Sequence, residues 1–184
     1  MTIQMLYYET LTEPNGLEGV WSLLCRYDTD FIPPLSSREN TYQTNLSALP
    51  SQKQQPKQYF ETLKEQSFIL ALDGEVVVGF VSFRPHYLSQ DIDDGLPTLY
   101  VTTIIVEETY RGQGITTRFY AELAKIANHY NQPIMTRTWS TNDKHIRVLH
   151  KIGMEEIKRI QNGRGLGLDT VYYRQRMTEE SARS

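Results

Sequence analysis

The chain has 184 residues, of which 39% are hydrophobic and 22% charged, with a formal net charge of -3. That length and balance fit one packed domain and exclude a disordered chain, and the slightly acidic total excludes a globally basic nucleic-acid binder. A single cysteine, Cys25, rules out an intrachain disulfide and a multi-cysteine zinc site; no apolar run reaches the ~18 residues of a membrane span, and "MTIQMLYYET" has no secretory pattern, so a cytoplasmic protein is expected.

In chain order, "MLYYET" reads as a short strand and "EPNGLEGVWSLLCRY" as a helix. In that helix Leu17, Val20, Trp21, Leu24 and Cys25 share a face, Asn15 is the expected N-cap, and Glu18 stands at the capping-box position. The stretch "DTDFIPPLSSRENTYQTNLSALPSQKQQP" is polar and broken by Pro33-Pro34, so it reads as a long excursion with a short helix around Glu39 to Leu46. "PKQYFETLKEQ" is helical again.

The pattern then changes period. "SFILALDGEVVVGFVSFRPHY" is two β-prone runs around an Asp73-Gly74 turn, a hairpin. "TLYVTTIIV" is the most β-branched run and predicts a central strand. "ITTRFYAELAKIANHYN" is helical, "IMTRTW" a strand, "TNDKHIRVLHKIG" a helix stopped by Gly153, and "MEEIKRI" with "LDTVYYRQRM" a closing strand pair. The sum is an α/β (α+β) chain: one domain over 1–177 with a mixed, mostly antiparallel sheet of about seven strands covered by helices on both faces, and a polar tail over 178–184.

One turn asks for a function. "IIVEETYRGQGITT" places Arg111, Gly112 and Gly114 directly after a strand and before a helix. A helix start carries unpaired N–H groups and partial positive charge, and glycines let the backbone approach a ligand closely. The expected guest is a phosphate or pyrophosphate. The turn lacks the Gly-Lys-Ser/Thr of a P-loop and the third glycine of a dinucleotide fingerprint.

The same stretch resembles the acyl-CoA pyrophosphate loop of the GCN5-related N-acetyltransferase (GNAT) superfamily, with Gln/Arg-x-x-Gly-x-Gly/Ala after a strand. "NDKHIRVLHKIGM" resembles that family's second motif through Asn142, Ile146, Lys151 and Gly153. The likeness covers essentially the whole domain. It implies acetyl-CoA as cosubstrate and no metal. It also implies that the backbone of Ile104, Ile105 and Val106 holds the pantetheine arm, that Arg111, Gly112, Gln113, Gly114, Ile115, Thr116 and Thr117 hold the pyrophosphate, and that Asn142 reaches the arm or thioester. Three positions depart from the pattern: Thr116 stands for Gly or Ala, His145 for a small alanine, and Leu149 for the tyrosine that protonates the departing thiolate in many members.

The implied reaction is direct acetyl transfer to an amine, which needs a proton acceptor, an oxyanion donor and an exit for thiolate. Glu107, Glu108, or a water held by Thr102 or Thr103, is the candidate base, and the Val106 amide the oxyanion donor. His145, His150, Tyr172 and Tyr173 are candidate acids, and a thiolate can also leave unaided. Asp28, Asp30, Phe31, Arg38, Tyr42 and Thr103 are candidate acceptor-pocket residues. The expected partners are acetyl-CoA and a small-molecule or protein amine, with no nucleic acid and no membrane. Closing strands in such domains often pair across dimers, which keeps a homodimer open. The other reading is a non-catalytic acyl-CoA-binding or sensing domain, consistent with Leu149.

Overall fold

Apolar runs with β-branched residues on both faces need cover on both faces, and the computed structural model, which describes residues 2–47 and 54–176, supplies it. The strands are β1 (Gln4–Tyr8), β2 (Ser67–Asp73), β3 (Val76–Tyr87), β4 (Thr98–Val106), β5 (Ile134–Trp139), β6 (Met154–Ile160) and β7 (Thr170–Gln175). The helices are α1 (Pro14–Arg26), α2 (Lys57–Leu63), α3 (Ile115–Tyr130) and α4 (Asp143–Lys151). All seven strands form one sheet in the order β1-β2-β3-β4-β5-β7-β6. Every pairing is antiparallel except β4 with β5, which is parallel because α3 carries the chain across between them.

Alternation along β2 shows how the two layers are built. Phe68, Leu70 and Leu72 pack with Val20, Leu24 and Leu63 from α1 and α2. Ile69 and Ala71 point the other way, into a cluster with Phe119, Leu123 and Ala127 of α3 and Leu149 of α4. The seven-stranded sheet with helices on both faces is the architecture the sequence predicts.

Two local expectations fail. Asn15 does not cap α1: Glu13 is the N-cap and Pro14 takes the first helical position, where its missing N–H costs nothing. Asn15 instead donates from Nδ2 to the Glu75 carbonyl, tying α1 to the β2–β3 turn. The short helix around Glu39 to Leu46 is also absent, and two 3₁₀ turns form earlier, at Asp28–Asp30 and Leu35–Ser37. The Asn40 side chain accepts from Tyr42 N and that of Asn45 from Ser47 N, local bonds that hold the backbone in turns rather than a helix. The expected tail over 178–184 lies outside the described residues.

Phe119 is fully buried at the centre of the α3 layer. Phe119→Ala should cost about 3–5 kcal/mol in a denaturant melt, against less than about 0.5 kcal/mol for Val76→Ala, which is 64% exposed. Equal effects would mean that α3 is not docked as described.

Candidate active site

The site begins where two strands stop pairing. β4 and β5 are in register only over Leu99–Val101 with Ile134–Thr136, although β4 runs on to Val106 and β5 to Trp139. A bulge lies at the point of divergence: Ser82 pairs with Thr103 and Phe83 with Val101, leaving Thr102 without a partner. The side-chain alternation slips with it, since Leu99 and Val101 face the α3 layer before the bulge and Ile104 and Val106 after it. A cavity of about 480 Å³ fills the opening, walled by Val101 to Val106, Thr136 to Trp139, Asn142, His145 and Val148.

The open edge of β4 carries usable backbone groups. Glu107 N donates to Val78 O on the β3 side. Amides alternate along a strand, so those of Ile104 and Val106 point into the slot, while that of Ile105 faces β3. Arg111 Nε donates to Val106 O at 2.9 Å, its Nη2 approaches Asp30 at 3.3 Å, and its guanidinium lies 4.6 Å from the Tyr27 ring centre. Arg111 therefore braces the glycine loop against β4 and the early excursion.

Below this brace the loop turns sharply. Gly112 has φ 77° and Gly114 φ 76°, a left-handed conformation that glycine adopts without strain. A Cβ on either would meet no protein atom within 4 Å, so both face open space. The first α3 bond is Arg118 N to Gly114 O. The amides of Gly112, Gln113, Gly114, Ile115, Thr116 and Thr117 thus have no acceptor among the described residues. Six free donors at and just before the start of a 16-residue helix are the kind of group that can hold an anion.

Of the six side chains expected to carry proton transfer, Glu107, Glu108, His145, His150, Tyr172 and Tyr173, His145 alone lines the cavity. Its Nε2 lies 3.0 Å from Tyr120 Oη, and burial pushes the imidazole down to about 4, so it is neutral at pH 7. Glu107 sits outside the lining, paired with Arg26 and 2.5 Å from Tyr27 Oη. Although burial opposes it, the Tyr27 hydroxyl and the Arg26 charge hold that carboxyl below its ordinary range. His150 is exposed and packs on the Tyr173 ring. Tyr172 is buried between β5 and β6, with its hydroxyl on Asp91 and Arg137. Leu149 is fully buried in the core, and Asn142 donates to Thr138 Oγ1 at 2.9 Å beside the slot.

Of the expected acceptor residues, Phe31, Asp30, Arg38 and Thr103 line the cavity, and Thr103 is bonded to Tyr59 Oη at 2.6 Å. Asp28 is turned away and bonds Ser36 through both carboxylate oxygens. Tyr42 lines a separate groove beside Arg84. Among the wall residues that escape the sequence analysis are Arg137, Trp139 and Arg164. Arg137 stands out only as a charge within a short apolar strand, and Arg164 is hidden in a glycine-rich turn.

A strand edge with free amides thus opens beside a helix start with free amides. The sequence matches the model of the Acetyltransferase (GNAT) family over residues 32–154, two thirds of the chain, and the protein belongs to that family. Comparison with curated proteins gives no match. Among solved structures, an N-acetyltransferase from Staphylococcus aureus Mu50 superposes with a TM-score of 0.67 at 14% identity, over 95% of this chain and 98% of that one. The yncA protein of Salmonella typhimurium, solved with its cofactor acetyl-CoA, gives 0.67 at 11% identity, over 96% and 95%. Arabidopsis thaliana NAA60, in complex with a bisubstrate analogue, gives 0.61 at 18% identity, over 93% and 97%. At these identities the likeness establishes the shared fold.

The neutral His145 has a consequence for stability. Its folded pKa lies below the ~6.5 of an unfolded chain, so the unfolded state takes up a proton first as pH falls. Stability should decline between about pH 6.5 and 4 by at most about 1.4 kcal/mol per pH unit, water in the cavity making this a ceiling. His145→Gln should flatten that part of the stability–pH curve; an unchanged curve would show that the imidazole is not held neutral.

Proposed function

We propose that the protein transfers the acetyl group of acetyl-CoA to a primary amine by direct attack in a ternary complex. The six unpaired amides at the start of α3, next to the open edge of β4, carry this reading. Membership of the acetyltransferase family and the acetyl-CoA bound in one structural neighbour support it.

In this reading Gly112 to Thr117 hold the pyrophosphate, Arg111 fixes the loop, and Ile104 and Val106 hydrogen-bond the pantetheine arm as an added strand would, with Ile105 as packed support. Asn142 lies beside the thioester end. The amine nitrogen attacks the acetyl carbonyl carbon, and the Val106 amide meets the oxyanion. The C–N bond forms as the C–S bond breaks, and CoA leaves as thiolate. The proton lost by the amine passes to cavity water at Thr102 and Thr103 and returns to the thiolate, with the His145–Tyr120 pair as the nearest relay. His145 is the strongest of the six proton-transfer candidates. Glu107, Glu108, His150, Tyr172 and Tyr173, outside the lining, are weaker ones. A non-catalytic acyl-CoA-binding domain would need only the slot. The cavity continues past it to Phe31, Arg38 and Arg164, which supports turnover of a second ligand.

Calorimetric titration of acetyl-CoA into the protein and into Gly114→Glu tests the reading. The parent should bind, and the variant at least about 10-fold more weakly, because it places a carboxylate and a Cβ where the anion sits, at φ 76°. Thiol release on adding amines should follow. No binding by the parent, or equal binding by both, contradicts the proposal.

A further inference from the structure

The far end of the cavity is built from charge without counter-charge. Arg38, from the early excursion, is 6% exposed, and Arg164, from the β6–β7 turn, is 5% exposed. Arg137 projects from β5, half-buried, and all three line the cavity. Guanidinium groups stay protonated at neutral pH, and burying one without a partner is costly. Among the described residues no carboxylate lies within ion-pair distance of any of the three. The nearby acids are committed elsewhere: Asp28 to Ser36, Asp30 to Arg111, and Asp91 to Tyr172.

The protein satisfies the three only in part. Arg38 Nε and Nη2 donate to Pro33 O, and Arg164 donates from Nη1 to Ile32 O and from Nε to Thr170 Oγ1. Arg137 Nη2 donates to Gln43 O and its Nη1 reaches Tyr172 Oη at 3.4 Å. Arg38 Nη1, Arg137 Nε and Arg164 Nη2 have no acceptor among the described residues. Ser37 Oγ alone among the described side chains is an unpartnered polar atom sealed from solvent, so these three donors are not sealed, and all three residues line the cavity. The cations also repel one another: burial first, then the Arg38 and Arg137 charges, hold the Arg164 guanidinium well below its ordinary range. The Phe31 and Trp139 rings, each 5.9 Å from a guanidinium, give them π faces but no negative charge.

We infer that Arg38, Arg137 and Arg164 form an anion subsite for the acceptor, so that the amine substrate is a small molecule that also carries a carboxylate or a phosphorus oxyanion. This rests on the acetyltransferase reading. The unused donors, one nitrogen on each of three guanidinium groups, match a planar or tetrahedral oxyanion that offers several acceptor oxygens. Burial of Arg38 and Arg164 requires the anionic end to enter the cavity, which suits a molecule of amino-acid size.

The test uses the acetyl-CoA-saturated protein, so that the α3 cradle is already occupied, and reads thiol release with matched sets. One arm is the common amino acids, a second is aminoalkylphosphonates, and the third is the matching amino-acid amides and plain alkylamines. Members of the first or second arm should be acetylated, with kcat/KM at least about 10-fold above their neutral counterparts. Whichever arm responds identifies the oxyanion. Arg137→Gln should lower that kcat/KM by about 10- to 100-fold, mostly through KM, and leave acetyl-CoA affinity unchanged. The matched ligands decide the question even if the variant misfolds. Neutral amines used equally well, or silence of every anionic amine, overturns the inference while acetyl-CoA binding leaves the acetyltransferase reading standing. Loss of acetyl-CoA binding overturns both.

Discussion

The site depends on a contact that ends early. β4 and β5 share a parallel ladder of three residue pairs and then separate, and the bulge at Thr102 marks the separation. A fully paired β5 would consume the Ile104 and Val106 amides and leave no space between the strands. Because the ladder stops, one strand offers its main chain to a guest while its other edge stays locked to β3 over Gly79–Ser82. Backbone groups held this way need no reorganisation when a ligand arrives, which is what gives a preorganised site its advantage over water. The glycine cradle extends the same logic: α3 must leave its first amides unpaired, and the left-handed Gly112 and Gly114 keep the approach to them clear.

The rest of the sheet keeps these two features in place. Both faces of β2 are packed, against α1 and α2 on one side and α3 and α4 on the other. α3 buries Ile115, Phe119, Tyr120, Leu123 and Ala127, so its N-terminus cannot drift from the end of β4. Arg111 adds a tether of a different kind, joining the loop to Val106 and to Asp30 of the early excursion. Arg164 joins the closing turn to the Ile32 carbonyl of the same excursion. Segments far apart in sequence therefore meet around one cavity, and arginines rather than apolar contacts make several of the joins. An exposed pair such as Arg111 with Asp30 contributes little to stability, so its value is positional.

Features that were local in sequence were legible. The β-branched "TLYVTTIIV" became β4 over Thr98–Val106, and "IMTRTW" became β5 over Ile134–Trp139. Gly74 and Gly153 adopt the positive φ that a tight turn and a helix stop require. The glycine turn after β4 opens a helix with free amides, as its residues implied. Features set by distant partners were not legible. Asn15 looks like a cap until Pro14 claims the first turn and Glu75 claims its amide. Glu107 looks like a free carboxylate at a strand end until Arg26 and Tyr27 arrive from α1. The arginine cluster was hardest to see, because Arg38, Arg137 and Arg164 stand on three separate segments and meet only in the folded cavity. His145 was placed by motif, but its neutral state follows from burial beside Tyr120, which no spacing reveals.

The central claim is that unpaired main-chain amides, rather than charged side chains, receive the acyl carrier. Amide NMR of the protein with and without acetyl-CoA tests it residue by residue. The amides of Gly112 to Thr117 and of Ile104 and Val106 should shift strongly and exchange more slowly with acetyl-CoA bound, while Ile105, already bonded to β3, should change little. Shifts confined to other parts of the sheet, with these amides unmoved at saturating acetyl-CoA, would contradict the account.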